Sequence, residues 1–243
     1  MSSIPFMSDI HMHIIPGVDD GSWDMDMSMS LLYMAYEEGI RKIIATSHGS
    51  AFAEDDNFVK ENFEQLQQRA SKLLPPMQLY FGCEIKCKES EMDSILEDLR
   101  TEKLPTLNGT KYVLTEFHTS VEVKQAIACA TRLLEAGWIP VIAHVERYKQ
   151  LFMDFSAIEK LAELGCLFQI NVYNVYDADD EIMKANALKM IEKQMVSFLG
   201  TDSHRTFHRP PSVKYELQYL YETYDKEYLD AIVFKNAQRL LGI

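Results

Sequence analysis

Short apolar runs alternate along this chain with longer segments in which apolar residues recur every three or four positions. The short runs are typical of buried strands, and the longer segments are typical of amphipathic helices. The first helical segment has one apolar face, formed by Met25, Met29, Leu32 and Tyr36, and Gly39 predicts where that helix ends. Because strand and helix patterns alternate throughout, the sequence predicts an α/β fold with parallel strands.

Seven segments are predicted to be strands, and most of them end at a histidine or a carboxylate. The strands are expected around Ile10 and at residues 42–47, 78–84, 112–115, 139–143, 167–171 and 195–201. The polar residues at their carboxyl ends are His11, His13, His48, Glu84, Glu116, His144, Asp202 and His204. No glycine-rich nucleotide-binding loop follows the first strand, so the pattern favours a closed barrel whose functional residues cluster at the carboxyl ends of the strands.

The composition fits a single globular domain. The chain has 243 residues, of which 47% are hydrophobic, and we find no linker or internal repeat, so one domain is expected over residues 1–243. No signal peptide or membrane-spanning run is visible, and the four cysteines lack metal-binding spacing, which predicts a cytoplasmic protein with reduced thiols and no membrane insertion. The formal net charge of -13 argues against binding to nucleic acid.

The first strand carries a pair of histidines that one cation can bind. His11 and His13 face the same side of an extended chain, and Asp20 lies nearby in a turn flanked by glycine. Five of the seven histidines lie at predicted strand ends, and with four carboxylates they offer nine nitrogen and oxygen ligands. Such a set suits two or three divalent ions. The absence of cysteine ligands favours manganese, iron, magnesium or zinc over a structural zinc site, and manganese is the first choice among them.

The motifs resemble those of a known superfamily along essentially the whole chain. They are Asp9-Ile10-His11-x-His13 with Asp19-Asp20-Gly21, then Thr46-x-His48, Glu84, Glu116-Phe117, Ala143-His144-x-x-Arg147-Tyr148 and Asp202-x-His204. This set resembles the PHP (polymerase and histidinol phosphatase) superfamily. More narrowly, it is similar to the bacterial manganese-dependent protein-tyrosine phosphatases of capsule and exopolysaccharide synthesis. Ser47 and Thr201 depart from the expected pattern without replacing any ligand.

The resemblance implies a distorted seven-stranded (β/α) barrel of the TIM-like PHP type that holds three metal ions. It assigns His11, His13, Glu84 and Asp202 to the first ion, Glu84, Glu116 and His144 to the second, and Asp20, His48 and His204 to the third. Glu84 would bridge two ions. The two arginines that bind phosphate would be Arg147 and Arg209, although Arg205 lies in the same loop as Arg209.

A phosphatase mechanism follows from the charges of such a site. Four carboxylates and three divalent ions leave a net positive cluster, at which a metal-bridging hydroxide can attack phosphorus while arginine stabilises the phosphoryl oxygens. Tyrosine is a good leaving group because the pKa of its phenol is near 10. A cysteine-based tyrosine phosphatase is excluded, because the residues six positions after the four cysteines are Glu89, Asp93, Glu135 and Val172, none of them arginine.

Three functions remain open at this point. The favoured one is a protein-tyrosine phosphatase acting on the tail of a bacterial tyrosine kinase that controls polysaccharide export. The alternatives are a small-molecule phosphatase similar to histidinol phosphatase and a metal-binding module without catalysis. The oligomeric state is left open.

Several neighbouring residues are interpreted as structural. Asp19 is expected to shape its turn, and His118 and His208 are expected to be ordinary loop residues. Five aromatic residues lie near the predicted site and either pack in the core or contact a phosphotyrosine ring, with packing favoured: Phe117, Tyr148, Tyr173, Tyr176 and Phe207.

Overall fold

Eight strands and the helices between them form an α/β fold, and all strand pairs in the described part of the chain are parallel. The computed structural model describes residues 4–73, 77–176 and 180–243. The strands are β1 (Met7–Met12), β2 (Ile40–Ala45), β3 (Gln78–Phe81), β4 (Glu84–Lys86), β5 (Tyr112–Glu116), β6 (Ile139–Ile142), β7 (Leu167–Asn171) and β8 (Phe198–Gly200).

Helices connect most of these strands and follow the last one. They are α1 (Met25–Glu38), α2 (Gly49–Leu73), α3 (Met92–Arg100), α4 (Val123–Glu135), α5 (Lys149–Met153), α6 (Ser156–Leu164), α7 (Glu181–Glu192), α8 (Lys214–Thr223) and α9 (Lys226–Asp230). Two π-helical turns, Ala231–Lys235 and Ala237–Leu241, continue from α9. Within the described ranges, no helix combines the length and the apolar character needed to cross a membrane.

The strands form two sheets that are joined at both edges. The order is β1-β2-β3 in one sheet and β4-β5-β6-β7-β8 in the other. At one junction, the Glu84 amide donates to the carbonyl of Ser47 at 3.1 Å. At the other, the Asp202 amide donates to the carbonyl of His11 at 2.8 Å, and the His13 amide donates to the carbonyl of Ser203 at 2.9 Å. Metal-ligand candidates therefore lie at both junctions.

The predicted count of seven strands is not confirmed, because the strand predicted at 78–84 ends at Phe81 and a separate strand, β4, begins at Glu84. The prediction that a strand ends at Glu84 is therefore wrong. Gly82 and Cys83 lie between β3 and β4 and belong to neither strand. Gly82 approaches β2 closely: its amide donates to the carbonyl of Ala45 at 3.0 Å, and a Cβ there would lie 2.8 Å from Cγ2 of Ile44. The other predicted strands are present, with β7 at its predicted bounds and β8 shorter than the predicted 195–201.

A buried carboxylate joins the first strand to the last. The Asp9 side chain accepts hydrogen bonds from the His11 amide at 3.0 Å, the Thr201 amide at 3.1 Å and the Thr201 hydroxyl at 2.5 Å. Burial raises the pKa of Asp9 to about 6, because the hydrogen bonds from Thr201 and His11 only partly offset the loss of water. This contact fixes β1 beside β8 and so sets the position of the histidines that follow.

The first helix ends as the sequence predicts. Gly39 has a left-handed φ of 95°, and its amide donates to the carbonyls of Ala35 and Tyr36. At the other end, the Asp24 side chain accepts a hydrogen bond from the Met27 amide at 2.9 Å, which caps the helix. Met29 and Leu32 are buried, as expected from the apolar face.

Candidate metal centre

The nine predicted ligands lie in one cluster near the carboxyl ends of the strands. Each has a nitrogen or oxygen atom within 4.0 Å of at least one other member: His11, His13, Asp20, His48, Glu84, Glu116, His144, Asp202 and His204. They come from the carboxyl ends of β1, β2, β5, β6 and β8, from Glu84 at the start of β4, and from the loop after β1. The parallel topology explains this convergence, because it brings the carboxyl ends of the strands to the same side of the fold.

Glu84 is the centre of the cluster. Its Oε1 lies 3.4 Å from Nε2 of His11 and 2.9 Å from Nε2 of His144. Its Oε2 lies 3.3 Å from Nε2 of His13 and 3.0 Å from Nδ1 of His48. One buried carboxylate therefore faces four imidazoles, two with each oxygen.

Two further carboxylates, Asp202 and Asp20, each contact two histidines of the cluster. Oδ1 of Asp202 lies 3.5 Å from Nε2 of His11 and 3.4 Å from Nε2 of His13. Oδ1 of Asp20 lies 3.3 Å from Nε2 of His48 and 3.4 Å from Nε2 of His204. Asp202 is buried, whereas Asp20 is exposed, so the cluster extends from the interior to the surface.

The ligand atoms fall into three groups in which all atoms lie within 4.8 Å of one another. The groups are His11 with His13 and Asp202, His13 with Asp20, His48 and His204, and His48 with Glu84 and Glu116. The first lacks Glu84 of the set implied by the resemblance, and the second adds His13 to the implied set. The third contains His48 where the resemblance implies His144, whose Nε2 is 2.9 Å from Glu84 and 4.0 Å from Glu116.

The donor set fits divalent cations. The Nε2 atoms of His11 and His13 face each other at 3.2 Å, and two such nitrogens form a hydrogen bond only if one of them keeps a proton. A cation between them satisfies both lone pairs at once. Imidazole and carboxylate ligands together suit manganese, iron or zinc.

Charge coupling within the cluster shifts the pKa values in opposite directions. Burial opposes the charge on Glu84 and Asp202, but nearby imidazoles, His11 foremost, hold the pKa of each carboxyl well below its usual range. Burial likewise disfavours the charged form of His48, yet hydrogen bonds to Asp20 and Glu84 raise its pKa to about 9. The metal-free cluster therefore favours a protonated His48 beside ionised Glu84 and Asp202.

Two arginines contact the same carboxylate. Oδ2 of Asp202 lies 2.8 Å from a terminal nitrogen of Arg209 and 3.6 Å from one of Arg147. Arg205, the alternative to Arg209, is engaged elsewhere: its Nε donates to the carbonyl of Gly21 at 3.2 Å, and its guanidinium lies over the ring of Trp23. Two cationic side chains thus face the cluster through Asp202.

Sequence analysis missed two buried amides that support the ligands. Gln169 Oε1 lies 3.0 Å from Nδ1 of His11 and accepts a hydrogen bond from the His144 amide at 2.8 Å. Nε2 of Gln169 donates to Oδ1 of Asn171 at 2.9 Å, and Nδ2 of Asn171 donates to Oδ2 of Asp202 at 3.1 Å. The sequence signal was two amides spaced two apart in an otherwise apolar strand, which places both on one face.

A glycine makes room for this support. A Cβ at Gly200 would lie 2.8 Å from Nε2 of Gln169 and 2.8 Å from Cβ of His11. Asp19 supports the cluster on the opposite side, since its carboxylate is 2.9 Å from Nδ1 of His13 and accepts hydrogen bonds from the amides of Gly21 and His48. The expectation that Asp19 shapes its turn agrees with these contacts.

Three residues of the site have left-handed backbone conformations that cost free energy for residues other than glycine. The φ angles are 34° at His144, 52° at Asp202 and 54° at Arg209. Such strain concentrates at functional sites, where the surrounding structure holds it in place.

The five aromatic residues near the site differ in exposure: two are buried, one is half-buried and two are exposed. Phe117 and Tyr148 are buried, and the Tyr148 hydroxyl accepts a hydrogen bond from the Phe117 amide at 2.9 Å, so both pack in the core. Tyr173 is half-buried, whereas Tyr176 and Phe207 are exposed.

The two histidines outside the predicted set lie on the surface. His118 contacts Ser120 through Nδ1 at 2.8 Å, and His208 donates its backbone amide to Arg205. Both are exposed loop residues.

Comparison with known sequences gives matches over nearly the full length. The sequence model described as capsular polysaccharide synthesis, CpsB/CapC, matches residues 7–242. The chain is 30% identical to the tyrosine-protein phosphatase CpsB of Streptococcus agalactiae over 242 residues, covering 97% of this chain and 98% of that protein. It is 32% identical to the tyrosine-protein phosphatase YwqE of Bacillus subtilis over 237 residues, covering 97% and 91%.

Solved structures of tyrosine phosphatases also match this chain. A structure from work on YwqE of Bacillus subtilis and CpsB of Streptococcus pneumoniae, described as unique metal-dependent tyrosine phosphatases, matches with a TM-score of 0.82 and 30% identity. The match covers 97% of this chain and 94% of the other. The phosphotriesterase homology protein of Escherichia coli matches with a TM-score of 0.62 at 10% identity, covering 98% and 99%, which is a similarity of fold alone.

Proposed function

The chain belongs to the CpsB/CapC family of capsular polysaccharide synthesis, and from this premise we propose that it is a metal-dependent phosphatase of phosphotyrosine proteins. The observation that carries the proposal is the position of Glu84, a buried carboxylate that faces four imidazoles within 3.4 Å. Such an arrangement is costly in a metal-free protein and is suited to holding more than one cation.

The cluster is proposed to hold two to three divalent ions, with manganese favoured. Each of the three ligand groups would contribute to one ion, and Glu84 would serve two of them because each of its oxygens faces a different pair of imidazoles. When bound, divalent ions supply Lewis-acid stabilisation of phosphoryl oxygens and activate water for hydrolysis.

The protein's own cations orient the phosphoryl group. Arg147 and Arg209 both approach Oδ2 of Asp202, so a phosphate at this point receives hydrogen bonds from two guanidinium groups held in place by one carboxylate. Planar guanidinium groups match phosphate oxygens well and stabilise the charge that develops on them during transfer. Arg205 is not assigned this role, because its guanidinium lies over Trp23.

The leaving group explains the preference for phosphotyrosine. A phenol with a pKa near 10 departs with less protonation than an aliphatic alcohol, so the site needs no strong general acid. The Tyr148 hydroxyl does not serve as one in this proposal, since it is buried and hydrogen-bonded to the Phe117 amide.

The partner, the barrel and the cellular location are also part of the proposal. The partner is a phosphotyrosine segment such as the tail of a bacterial tyrosine kinase, consistent with the family's place in capsular polysaccharide synthesis. The two joined sheets are proposed to form one distorted barrel that counts as seven strands if β3 and β4 are halves of one, within a single domain over 1–243. A cytoplasmic location is supported by four free, buried cysteines.

The test compares substrates and metals in one series. Purified protein is stripped with chelator, reloaded with manganese, magnesium, iron or zinc, and assayed on a phosphotyrosyl peptide, histidinol phosphate and an oligonucleotide. We expect metal-dependent hydrolysis of the peptide with a kcat/KM well above that for the other two. Full activity in the presence of strong chelator would refute metal dependence, and preference for histidinol phosphate would favour a small-molecule phosphatase.

A further inference from the structure

Two exposed aromatic side chains and one arginine pack together at the surface. The Trp23 and Phe207 side chains are 54% and 66% exposed, and their ring centroids are 5.6 Å apart with an angle of 58° between the planes. The guanidinium carbon of Arg205 lies 4.6 Å from the centroid of the Trp23 ring. We call Trp23, Arg205 and Phe207 the rim platform. Single exposed apolar residues are ordinary, but adjoining aromatic rings left open to water are typical of a binding surface.

The rim platform adjoins the metal-ligand cluster through two loops. Trp23 follows the turn that carries Asp20, and Arg205 joins the two loops by donating to the carbonyl of Gly21 at 3.2 Å. At their ends nearest the cluster, Asp20 and His204 lie 3.4 Å apart. The platform and the cluster are therefore parts of one continuous surface.

Phe207 stands at the tip of a short hairpin whose base lies in the site. The His204 amide donates to the carbonyl of Arg209 at 3.1 Å, and the Arg205 amide donates to the carbonyl of His208 at 3.0 Å. His204 is a ligand candidate, and Arg209 contacts Asp202 at 2.8 Å. The hairpin thus presents an aromatic ring directly beyond the groups that are proposed to hold the phosphoryl group.

We propose that the rim platform binds the phenyl ring of the phosphotyrosyl substrate, with Phe207 and Trp23 contacting the ring and Arg205 positioning Trp23. This inference rests on the proposed phosphatase function. A phosphoryl group bound beside Arg209 leaves its tyrosine ring pointing out of the cluster, and the rim platform offers ring edges and faces there. Aromatic rings favour tilted, edge-to-face contacts of the kind that Trp23 and Phe207 already make with each other.

The other aromatic candidates do not offer an equivalent surface. Phe117 and Tyr148 are buried, so neither presents a ring face to substrate. Tyr176 is exposed, but its ring packs against Tyr219 of α8, whereas Trp23 and Phe207 lie on the two loops that carry Asp20 and His204. Tyr173 is half-buried, with its hydroxyl 3.5 Å from Nδ2 of the buried Asn171. Binding of the substrate ring is therefore assigned to Trp23 and Phe207.

The experiment separates binding of the ring from binding of the phosphate. Phe207→Ala and Trp23→Ala are assayed, manganese-loaded, on a phosphotyrosyl peptide, and inhibition by inorganic phosphate is measured in parallel. We expect KM for the peptide to rise about tenfold in each variant, with kcat within about twofold of wild type. The inhibition constant of inorganic phosphate stays unchanged, because phosphate has no ring. Phe207→Tyr keeps the ring and is expected to behave as wild type.

Phe6 provides a matched control at the other end of the first strand. The Phe6 side chain is 61% exposed, and its ring centroid lies 4.2 Å from the guanidinium carbon of Arg41. This pair resembles the pair of Trp23 and Arg205 in the rim platform. Phe6 directly precedes β1, whereas the cluster lies at the carboxyl ends of the strands. Phe6→Ala is expected to leave KM, kcat and phosphate inhibition unchanged.

Other outcomes overturn the inference. If the wild type hydrolyses the peptide and neither Ala variant changes KM, the rim platform does not bind the ring, while the phosphatase function stands. A parallel rise in KM and in the phosphate inhibition constant would mean that the substitutions disturb the cluster. A change of oligomeric state by light scattering with unchanged KM would assign the platform to contacts between copies. A wild type inactive on the peptide refutes the proposed function itself, and this inference with it.

Discussion

Gln169 and His11 lie 158 positions apart in the chain and are joined inside the fold by a contact of 3.0 Å between Oε1 and Nδ1. The same oxygen accepts a hydrogen bond from the His144 amide, which can only donate, so the atom facing His11 is an acceptor. His11 must therefore carry a proton on Nδ1, and in its neutral form it presents the lone pair of Nε2 to a cation. Such outer contacts orient metal-binding imidazoles.

Replacing Gln169 with leucine is expected to weaken metal binding by about 10- to 100-fold, because His11 loses the acceptor that fixes its tautomer. Titration calorimetry with manganese measures the affinity. Gln169→Glu keeps an acceptor oxygen at this position and is the matched variant, expected to lose less affinity. An unchanged affinity in Gln169→Leu would show that the contact with His11 plays no part in binding the cation.

Glu84→Ala and His204→Ala are expected to differ in metal content. Glu84 faces four imidazoles, so its loss affects more than one ligand group, whereas His204 belongs to a single group with Asp20, His48 and His13. Elemental analysis should find the larger loss of metal in Glu84→Ala. His118→Ala, which removes an exposed loop histidine, serves as the control and should retain full metal content. Equal losses in the two site variants contradict the central role of Glu84.

Arg147→Ala is expected to lower turnover of a phosphotyrosyl peptide by about 100-fold or more, while metal content stays unchanged. Lysine at this position should restore little, because it keeps the charge but lacks the planar pair of donors that matches phosphate. Melting temperature, metal content and turnover are measured on both variants.

The competing interpretation is that Arg147 only stabilises the fold through Asp202, 3.6 Å away. Near-normal turnover with a lowered melting temperature would support that interpretation. Arg132→Ala is the control, since Arg132 pairs with exposed Asp93 and such surface pairs contribute little to stability.

Metal binding is expected to strengthen as the pH rises towards 9. In the metal-free protein the pKa of His48 is raised to about 9, so at pH 7 its imidazole carries a proton that a cation must displace. Glu84 and Asp202 have lowered pKa values and are already ionised, so they release no proton. Calorimetry at pH 7 in two buffers of different ionisation enthalpy should detect proton release, and His48→Ala should release fewer protons. Binding that is independent of pH would rule out this linkage.

The sequence predicts the parts of this site that depend on local pattern. The position of His11 and His13 on one face follows from strand geometry, and the strand ends at Glu116 and His144 follow from the apolar runs before them. The end of α1 at Gly39 is equally local.

What the sequence could not predict depends on contacts between distant segments. The break at Gly82 reflects its closeness to Ile44 in a neighbouring strand. The grouping of His48, and not His144, with Glu84 and Glu116 depends on how the side chains meet across three strand ends. The support of His11 by Gln169 depends on Gly200, which leaves space for both. The spacing of Gln169 and Asn171 places both on one face of a strand, but no pattern along the chain identifies the partner residues of these contacts.

The hydrogen bonds between Asp9 and Thr201 connect residues 192 positions apart, and this separation bears on how the protein is made. A chain still attached to the ribosome and ending before Thr201 already contains His11 and His13 but has neither Asp202 nor His204. Its imidazoles then lack the carboxylate that completes their group, so a cation bound at this stage is held less tightly than in the finished protein. The group formed by His11, His13 and Asp202 is therefore complete only when β8 has emerged and paired with β1.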